Sequence, residues 1–147
     1  MSSLKGSERN RGKPCKDCGK PKGPAYADQI RCYRCTQARK HAVRKAAHGR
    51  RVKSVYGITG EEYDQLYEAQ GERCAICPRA RGITRRLAVD HDHAVEAEQG
   101  SRASVRGLLC GPCNDMLAHV RDDPEVLAKA IEYLRNPPAR AVLDLSA

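Results

Sequence analysis

The chain has 147 residues, which suffices for one domain or two very small ones. It contains no Trp, no Phe and only six Tyr, so it cannot bury a large aromatic core, and a domain of this kind usually needs cross-links. The first ten residues, MSSLKGSERN, lack the apolar run of a signal peptide, and no stretch reaches the ~18 apolar residues of a membrane helix. We therefore expect a cytoplasmic protein that has no membrane partner.

The positive charge is concentrated in the first part of the chain. Residues 1–56 carry 16 basic and 3 acidic side chains, a net charge of +13, whereas residues 57–147 carry 11 basic and 15 acidic ones, a net charge of −4. A basic segment on a nearly neutral body is typical of a protein that binds a polyanion. The alternative is a solvated tail that only improves solubility.

Residues 1–13 are polar and are predicted to be disordered. The next segment carries two C-x-x-C pairs, and thirteen residues separate Cys18 from Cys32. This spacing is near the lower end of that for a four-cysteine zinc knuckle, and we predict one tetrahedral Zn²⁺ there. Disulfides and a redox C-x-x-C remain alternatives, although reduced intracellular thiols and four such pairs in one chain favour zinc. The ligands would be Cys15, Cys18, Cys32 and Cys35.

Two helices are predicted next. Residues 36–53 are rich in Ala, Arg and Lys and read as a basic helix that contacts phosphate, or else as a solvated helix. Thr59 can cap a second helix that Gly71 ends, with Tyr63 and Tyr67 on one face. We interpret these tyrosines as packing residues, with stacking on DNA as the alternative.

The C-terminal half predicts a strand at 87–91, a polar loop at 94–103 and a strand at 104–109. A helix is expected to start near Pro112 or Cys113. A last helix, capped by Asp122 or Asp123, should end at Pro137-Pro138. Its apolar stripe could serve as core or as a homodimer face, and it comprises Val126, Leu127, Ala130, Ile131 and Leu134.

The other two C-x-x-C pairs bracket thirty-two residues, 78–109, which is enough to carry a functional element. One Zn²⁺ would tie both ends of a β-β-α unit together. Four thiolate ligands leave no open position on the metal, so this zinc is expected to be structural. Its ligands would be Cys74, Cys77, Cys110 and Cys113.

Within that segment lies Asp90-His91-Asp92-His93, and Asn114 follows the last cysteine. Hydrolysis of a phosphodiester needs a base for water and a divalent cation on the phosphate. Asp90 and Asn114 could hold Mg²⁺, or Mn²⁺, through oxygen atoms, and His91 could be the general base. His93 is the alternative base or a phosphate contact.

Other roles for this cluster remain open. The two histidines could hold a third, structural metal, and Asp90 or Asp92 could cap the loop. Asp90 and His91 would point to opposite faces of a regular strand, so both reach one phosphate only if the strand ends or bulges there.

The segments YGITGEEYDQLYEAQGERCAIC, LAVDHDH, VRGLLCGPCN and DDPEVLAKAIEYL, between Tyr56 and about Leu134, resemble the phage recombination endonuclease VII family of HNH, or ββα-metal, nucleases. The resemblance implies a ββα-metal fold, a structural four-cysteine zinc and Mg²⁺-dependent cleavage of DNA, often of Holliday junctions. By position, Asp90 and Asn114 match the family's catalytic-metal ligands, His91 its general base and His93 its second active-site histidine. A phage-encoded protein would act in the bacterial cytoplasm.

The chain departs from the family pattern at two places. Some members have an acid in the helix of the last motif where this chain has Leu117, and Asp115 is out of position for that role. The segment after the active site is short, which puts a family dimer made from long C-terminal helices in doubt.

The sequence as a whole predicts a small α+β protein. Its parts would be a basic tail (1–13), a DNA-binding zinc knuckle with a basic helix (14–55), an HNH nuclease domain (56–136) and a C-terminal tail (137–147). The predicted function is Mg²⁺-dependent DNA endonuclease. The alternative is a non-catalytic, zinc-dependent DNA-binding or regulatory protein.

Overall fold

The structure, a computed structural model, describes residues 10–143, which divide into two compact units between Glu61 and Glu62. The predicted disorder of residues 1–13 and the predicted tail at 137–147 fall partly outside the described residues. The predicted domain boundary at 55/56 stays a prediction. No helix within residues 10–143 combines the length and apolar character that crossing a membrane requires.

The first unit contains the N-terminal cysteine pairs, a 3-10 turn at Pro24–Tyr26 and the long helix α1 (Tyr33–Tyr56). Helix α1 extends three residues beyond the predicted end and passes through Gly49. A Cβ at Gly60 would lie 3.2 Å from the Gly49 Cα, so the two backbones meet where neither residue has a side chain. Gly57, at φ 68°, ends the helix in the left-handed conformation that glycine adopts without strain.

Helix α2 (Gly60–Ala69) spans the boundary and leads into the second unit, which contains the two-stranded antiparallel sheet of β1 (Ala88–His91) and β2 (Val105–Leu109). The predicted strands are confirmed to within one residue at their starts. Helix α5 (Gly111–His119) follows β2 and packs against β1. Helix α6 (Pro124–Arg135) and the short α7 (Ala139–Val142) come last.

The predicted polar loop at 94–103 is wrong, because this segment is helical. Helix α3 (His93–Gln99) and the short α4 (Ser101–Ser104) connect the two strands. The Asp92 carboxylate caps α3 by accepting hydrogen bonds from the backbone N–H groups of Ala94 and Val95, at 2.9 and 3.1 Å. Good helix formers follow this cap, and Gly100 at φ 86° ends the helix.

The core of the second unit is small and aliphatic. Leu87, Val89, Leu108 and Leu109 are buried, as is Tyr63, whose hydroxyl donates to the Leu87 carbonyl at 2.8 Å. The packing role predicted for Tyr63 is thus confirmed. Four residues of the α6 stripe are exposed, with Leu134 at 74%, and Leu127 is half-buried, so the stripe is not core in the described chain, and the homodimer face stays a prediction.

Gln70 joins α2 to the outer edge of β2. Its side-chain oxygen accepts from the Leu108 N–H at 2.8 Å, and its amide donates to the Leu108 carbonyl at 2.9 Å. Gly107 leaves room for this contact, since a Cβ at position 107 would lie 3.1 Å from the Gln70 side-chain oxygen. The backbone of Leu108 at this edge is thus satisfied by the Gln70 side chain together with the Ala75 N–H, which donates to the Leu108 carbonyl at 3.1 Å.

We predict that Gln70→Ala destabilises the protein by roughly 1–3 kcal/mol, because the N–H of the fully buried Leu108 loses its acceptor. Urea unfolding of the zinc-loaded chain measures this. Gln65→Ala, an exposed change on the same helix, is the matched control. Equal stability of the two variants would contradict the role assigned to Gln70.

Candidate active site and cysteine clusters

The four N-terminal cysteines converge. The sulfur atoms of Cys15, Cys18, Cys32 and Cys35 all lie within 4.8 Å of one another, and the Cys18 and Cys32 sulfurs are 3.8 Å apart. Tight turns hold the first pair: the Cys15 N–H donates to the Lys20 carbonyl, and the Gly19 N–H donates to the Cys15 carbonyl, both at 2.9 Å. Backbone N–H groups, that of Cys32 foremost, lower the pKa of Cys15 to about 6.

The C-terminal cluster has the same form and closes the longer segment. The sulfur atoms of Cys74, Cys77, Cys110 and Cys113 lie within 4.8 Å of one another. Burial opposes ionisation of Cys74, but the backbone N–H groups of Cys110, Cys77 and Ile76 lower its pKa to about 6. Burial raises the pKa of Cys113 to about 12.

All eight cysteines are free thiols in the structure, so the disulfide alternative is not supported. In the second cluster the Cys77 and Cys110 sulfurs are 3.6 Å apart, whereas a disulfide bond measures about 2.05 Å. Four sulfurs grouped at this spacing fit tetrahedral zinc, in which neighbouring ligands are not bonded to each other. The two clusters therefore fit two structural zinc sites.

Asp90 and His91 lie at the end of β1, where the strand pairing is irregular. Asp90 pairs with Gly107 and His91 with Val105, so Arg106 is an extra residue in β2 and forms a bulge. The strand does not end at Asp90, and because the extra residue is in β2, the irregularity lies in the partner strand and not in β1 itself. The structure therefore has neither an end nor a bulge of β1 between Asp90 and His91, and their joint role stays a prediction.

The bulged residue, Arg106, binds Asp90 through two nitrogen atoms of its guanidinium group. Its Nε and Nη2 donate to the two Asp90 carboxylate oxygens at 2.7 and 3.0 Å. Asp90 is 8% exposed, so it gains a partner where hydration is poor. The same Nη2 donates to Asp122 at 3.0 Å, and the Asp92 carboxylate lies 3.9 Å from Nη1. These bonds, chiefly that to Asp90, raise the pKa of Arg106 above its ordinary value.

Asp122 reaches Arg106 from a strained turn. Arg121 and Asp122, between α5 and α6, have φ angles of 56° and 57°, a left-handed conformation that costs side-chain-bearing residues free energy. Because two adjacent residues adopt this costly conformation, contacts with the surrounding structure must stabilise the turn. The bond from Arg106 to Asp122 is one of those contacts.

His91, His93 and Glu96 form a second cluster beside this ion pair. The imidazole centroids of His91 and His93 are 4.5 Å apart, with 65° between the rings. The His91 Nε2 lies 3.2 Å from a Glu96 carboxylate oxygen, and the other oxygen of Glu96 accepts from the Ser101 hydroxyl at 2.8 Å. Two predicted site residues are thus brought together with a carboxylate that was not predicted.

The other predicted residues are placed less directly. Asn114 is half-buried in the first turn of α5, the helix that packs against β1, and its N–H donates to the Cys110 carbonyl at 3.0 Å. Asp92 is the helix cap, one of the alternatives considered, and its pKa is lowered chiefly by the N–H of Val95. Leu117 is half-buried farther along α5, and Asp115 is exposed.

Sequence reasoning missed Glu96, Ser101, Arg106 and Asp122. Glu96 lies three positions after His93, which places both on one face of a helix, so the signal existed but required α3 to be recognised. No local signal pairs Arg106 with Asp90, because the contact depends on the register of the hairpin.

The first unit contains a basic groove between the cysteine turns and α1. It encloses a volume of about 450 Å³, and its floor includes the exposed apolar side chains Ile30 and Val43. Four cations line it: Arg31, Arg39, Lys40 and Arg44.

These features define a small mixed α/β protein with a two-stranded sheet and two four-cysteine clusters that fit zinc. The chain belongs to the recombination endonuclease VII family, whose model matches residues 49–136, and this membership supports its assignment as a nuclease. The predicted resemblance is therefore confirmed.

Two phage proteins are similar to nearly the whole chain. This chain is 41% identical over 148 residues to the Gene 59 protein of Mycobacterium phage L5. The alignment covers 93% of this chain and 82% of that protein. The chain is 42% identical over 142 residues to the Gene 59 protein of Mycobacterium phage D29, with the same two coverages. No solved structure matches the chain significantly.

We predict that Arg106→Gln destabilises the protein by roughly 1–3 kcal/mol, because the buried Asp90 carboxylate is left without its guanidinium. The double variant Asp90→Asn/Arg106→Gln should recover part of this loss, since it removes the unpaired charge. Urea unfolding of both variants checks the coupling. An equally unstable double variant would show that the ion pair is not the cause.

Proposed function

We propose that this protein is a Mg²⁺-dependent DNA endonuclease of the HNH, endonuclease VII type, and that its substrates include branched DNA. The observation that carries the proposal is the position of His91, beside Asp90 at a strand bulge and 3.2 Å from Glu96, inside the segment that matches the nuclease family. The order β1, β2, α5 with α5 against β1 supports a ββα-metal core.

In the proposed reaction, His91 accepts a proton from the attacking water as the phosphodiester bond breaks. An imidazole titrates near neutrality and can therefore take up this proton. Glu96 beside Nε2 would orient the ring. His93, with its ring against that of His91, would contact the phosphate or take the base role itself.

Asp90 and Asn114 would hold the catalytic cation, which supplies positive charge to the phosphate when it is bound. In this structure both Asp90 oxygens accept hydrogen bonds from Arg106. A cation that binds Asp90 must therefore displace at least one of these bonds. Asp122 already accepts from Arg106, so the guanidinium would keep one anionic partner after such a shift.

The basic groove of the first unit would bind the DNA backbone. Arg31, Arg39, Lys40 and Arg44 line one groove, and each cation that contacts a phosphate releases condensed counterions. Residues 14–55 would thus supply sequence-independent affinity, and the second unit would supply the chemistry.

The second candidate function is non-catalytic DNA binding or regulation that depends on zinc. The basic groove and the N-terminal cysteine cluster favour it as strongly as they favour the nuclease. The cluster of Asp90, His91 and His93 would have no role under that hypothesis, and this is why we prefer the nuclease.

We expect His91→Ala to reduce cleavage by at least about 10²-fold, the lower range for loss of a general base. The measurement is cleavage of a four-way DNA junction and a linear duplex of the same sequence, in Mg²⁺ and in EDTA. His119→Ala, at the exposed end of α5, is the matched control and should cleave like the wild type.

Unchanged cleavage by His91→Ala would refute the assigned base. Binding of DNA by the wild type without cleavage of either substrate, in Mg²⁺ or Mn²⁺, would favour the non-catalytic alternative.

We expect the triple variant Arg39→Gln/Lys40→Gln/Arg44→Gln to bind DNA more weakly and with a shallower salt dependence. The slope of log K against log salt concentration should fall by up to about 3, or about 1 for each phosphate contact removed. The control removes the same charge elsewhere, through Lys129→Gln/Arg135→Gln/Arg140→Gln. Equal losses in the two variants would indicate only an effect of net charge.

A further inference from the structure

We propose that His91, His93 and Glu96 form a binding site for one transition-metal ion of the Zn²⁺ class. Each residue offers one ligand atom, and the three atoms lie within 4.8 Å of one another. The site is distinct from both cysteine clusters and from the cation site proposed at Asp90 and Asn114.

The distances within the cluster suit a small ion. Zinc bonds nitrogen and carboxylate oxygen at about 2.0–2.2 Å, so two ligands of a tetrahedral ion lie roughly 3.3–3.5 Å apart. The His91 Nε2 and the Glu96 oxygen are 3.2 Å apart, close to this value. The His93 ligand atom lies within 4.8 Å of both, so it would have to approach them by up to about 1.5 Å for one ion to bind all three.

The chemistry of the donors selects the class of metal. Two imidazoles and one carboxylate suit zinc and its neighbours among the transition metals, whereas Mg²⁺ prefers oxygen ligands and retains most of its water. Three protein ligands also leave one coordination position for water.

The local fold prepares this site before any ion binds. Asp92 caps α3 and so fixes the first turn, which contains His93. Ser101 donates to one oxygen of Glu96 at 2.8 Å and leaves the other directed at His91. Outer hydrogen bonds that orient a ligating carboxylate are a regular feature of metal sites.

Occupancy has a consequence that rests on the proposed function. An ion on His91 takes the lone pair that the general base uses, so Zn²⁺ would inhibit cleavage that Mg²⁺ supports. Glu96 would then act both in orienting His91 and in binding the inhibitory ion.

The test is equilibrium dialysis of the full chain against micromolar free Zn²⁺, with metal counted per chain. The wild type should hold three Zn²⁺ ions, one for each cluster. Glu96→Ala and His93→Ala should each hold two. Glu98→Ala, an exposed change on the same helix, is the matched control and should hold three. Unreactive thiols in every variant verify that both cysteine clusters remain loaded.

Two ions on the wild type, or three on Glu96→Ala, would overturn the proposal. Loss of the third ion from Glu98→Ala as well would do the same, because binding would then not depend on this cluster. The count requires no activity, so it stands apart from the nuclease assignment. Where cleavage is seen, the inhibition by Zn²⁺, measured relative to each variant's own rate, should weaken in Glu96→Ala.

Discussion

The convergence of Cys74 and Cys77 with Cys110 and Cys113 is the constraint on which the second unit depends. These pairs bracket thirty-two residues, and that segment contains both strands and every proposed catalytic residue except Asn114, which directly follows Cys113. The aliphatic core around Leu108 is small, and the chain has no Phe or Trp to enlarge it. A metal that binds four thiolates contributes its binding free energy to folding, because the unfolded chain has no preformed site. The zinc site would therefore stabilise the hairpin and the start of α5 together.

Within the segment that these cysteines bracket, the bulge in β2 determines which charged side chains are in contact. It inserts Arg106 opposite the junction of Asp90 and His91, and the guanidinium binds Asp90, Asp122 and the edge of Asp92. A carboxylate that is 8% exposed needs a cationic partner, and Arg106 is that partner in this structure. In the proposed enzyme a divalent cation would share or replace it. The affinity for this cation would thus depend on Arg106.

Most helices and both strands could be predicted because their signals lie in residues that are close together in the sequence. Helices α1, α2, α5 and α6 and both strands were predicted because caps, glycines, prolines and apolar periodicity act within a few residues. Helix α3 was missed because its sequence is polar, and a polar segment between two strands reads as a loop. Its cap, Asp92, is a capping candidate in the sequence, but Glu96 comes near His91 only through the helix that this cap starts. The apolar stripe of α6 was identified, yet periodicity cannot tell a core face from the exposed face that the structure has.

The spacing of the cysteine pairs, the order of the elements other than those at 93–104, the family and the candidates Asp90, His91, His93 and Asn114 could all be read from the sequence. These are properties of local spacing, which the linear order of residues preserves. The folded structure is needed to see that Arg106 binds Asp90, sixteen residues away, and that Glu96 faces His91. The first contact depends on one extra residue in the strand register, and the second on a helical turn after Asp92. A shift of one residue in either would separate the same side chains, because register and helical phase set the direction of every side chain that follows.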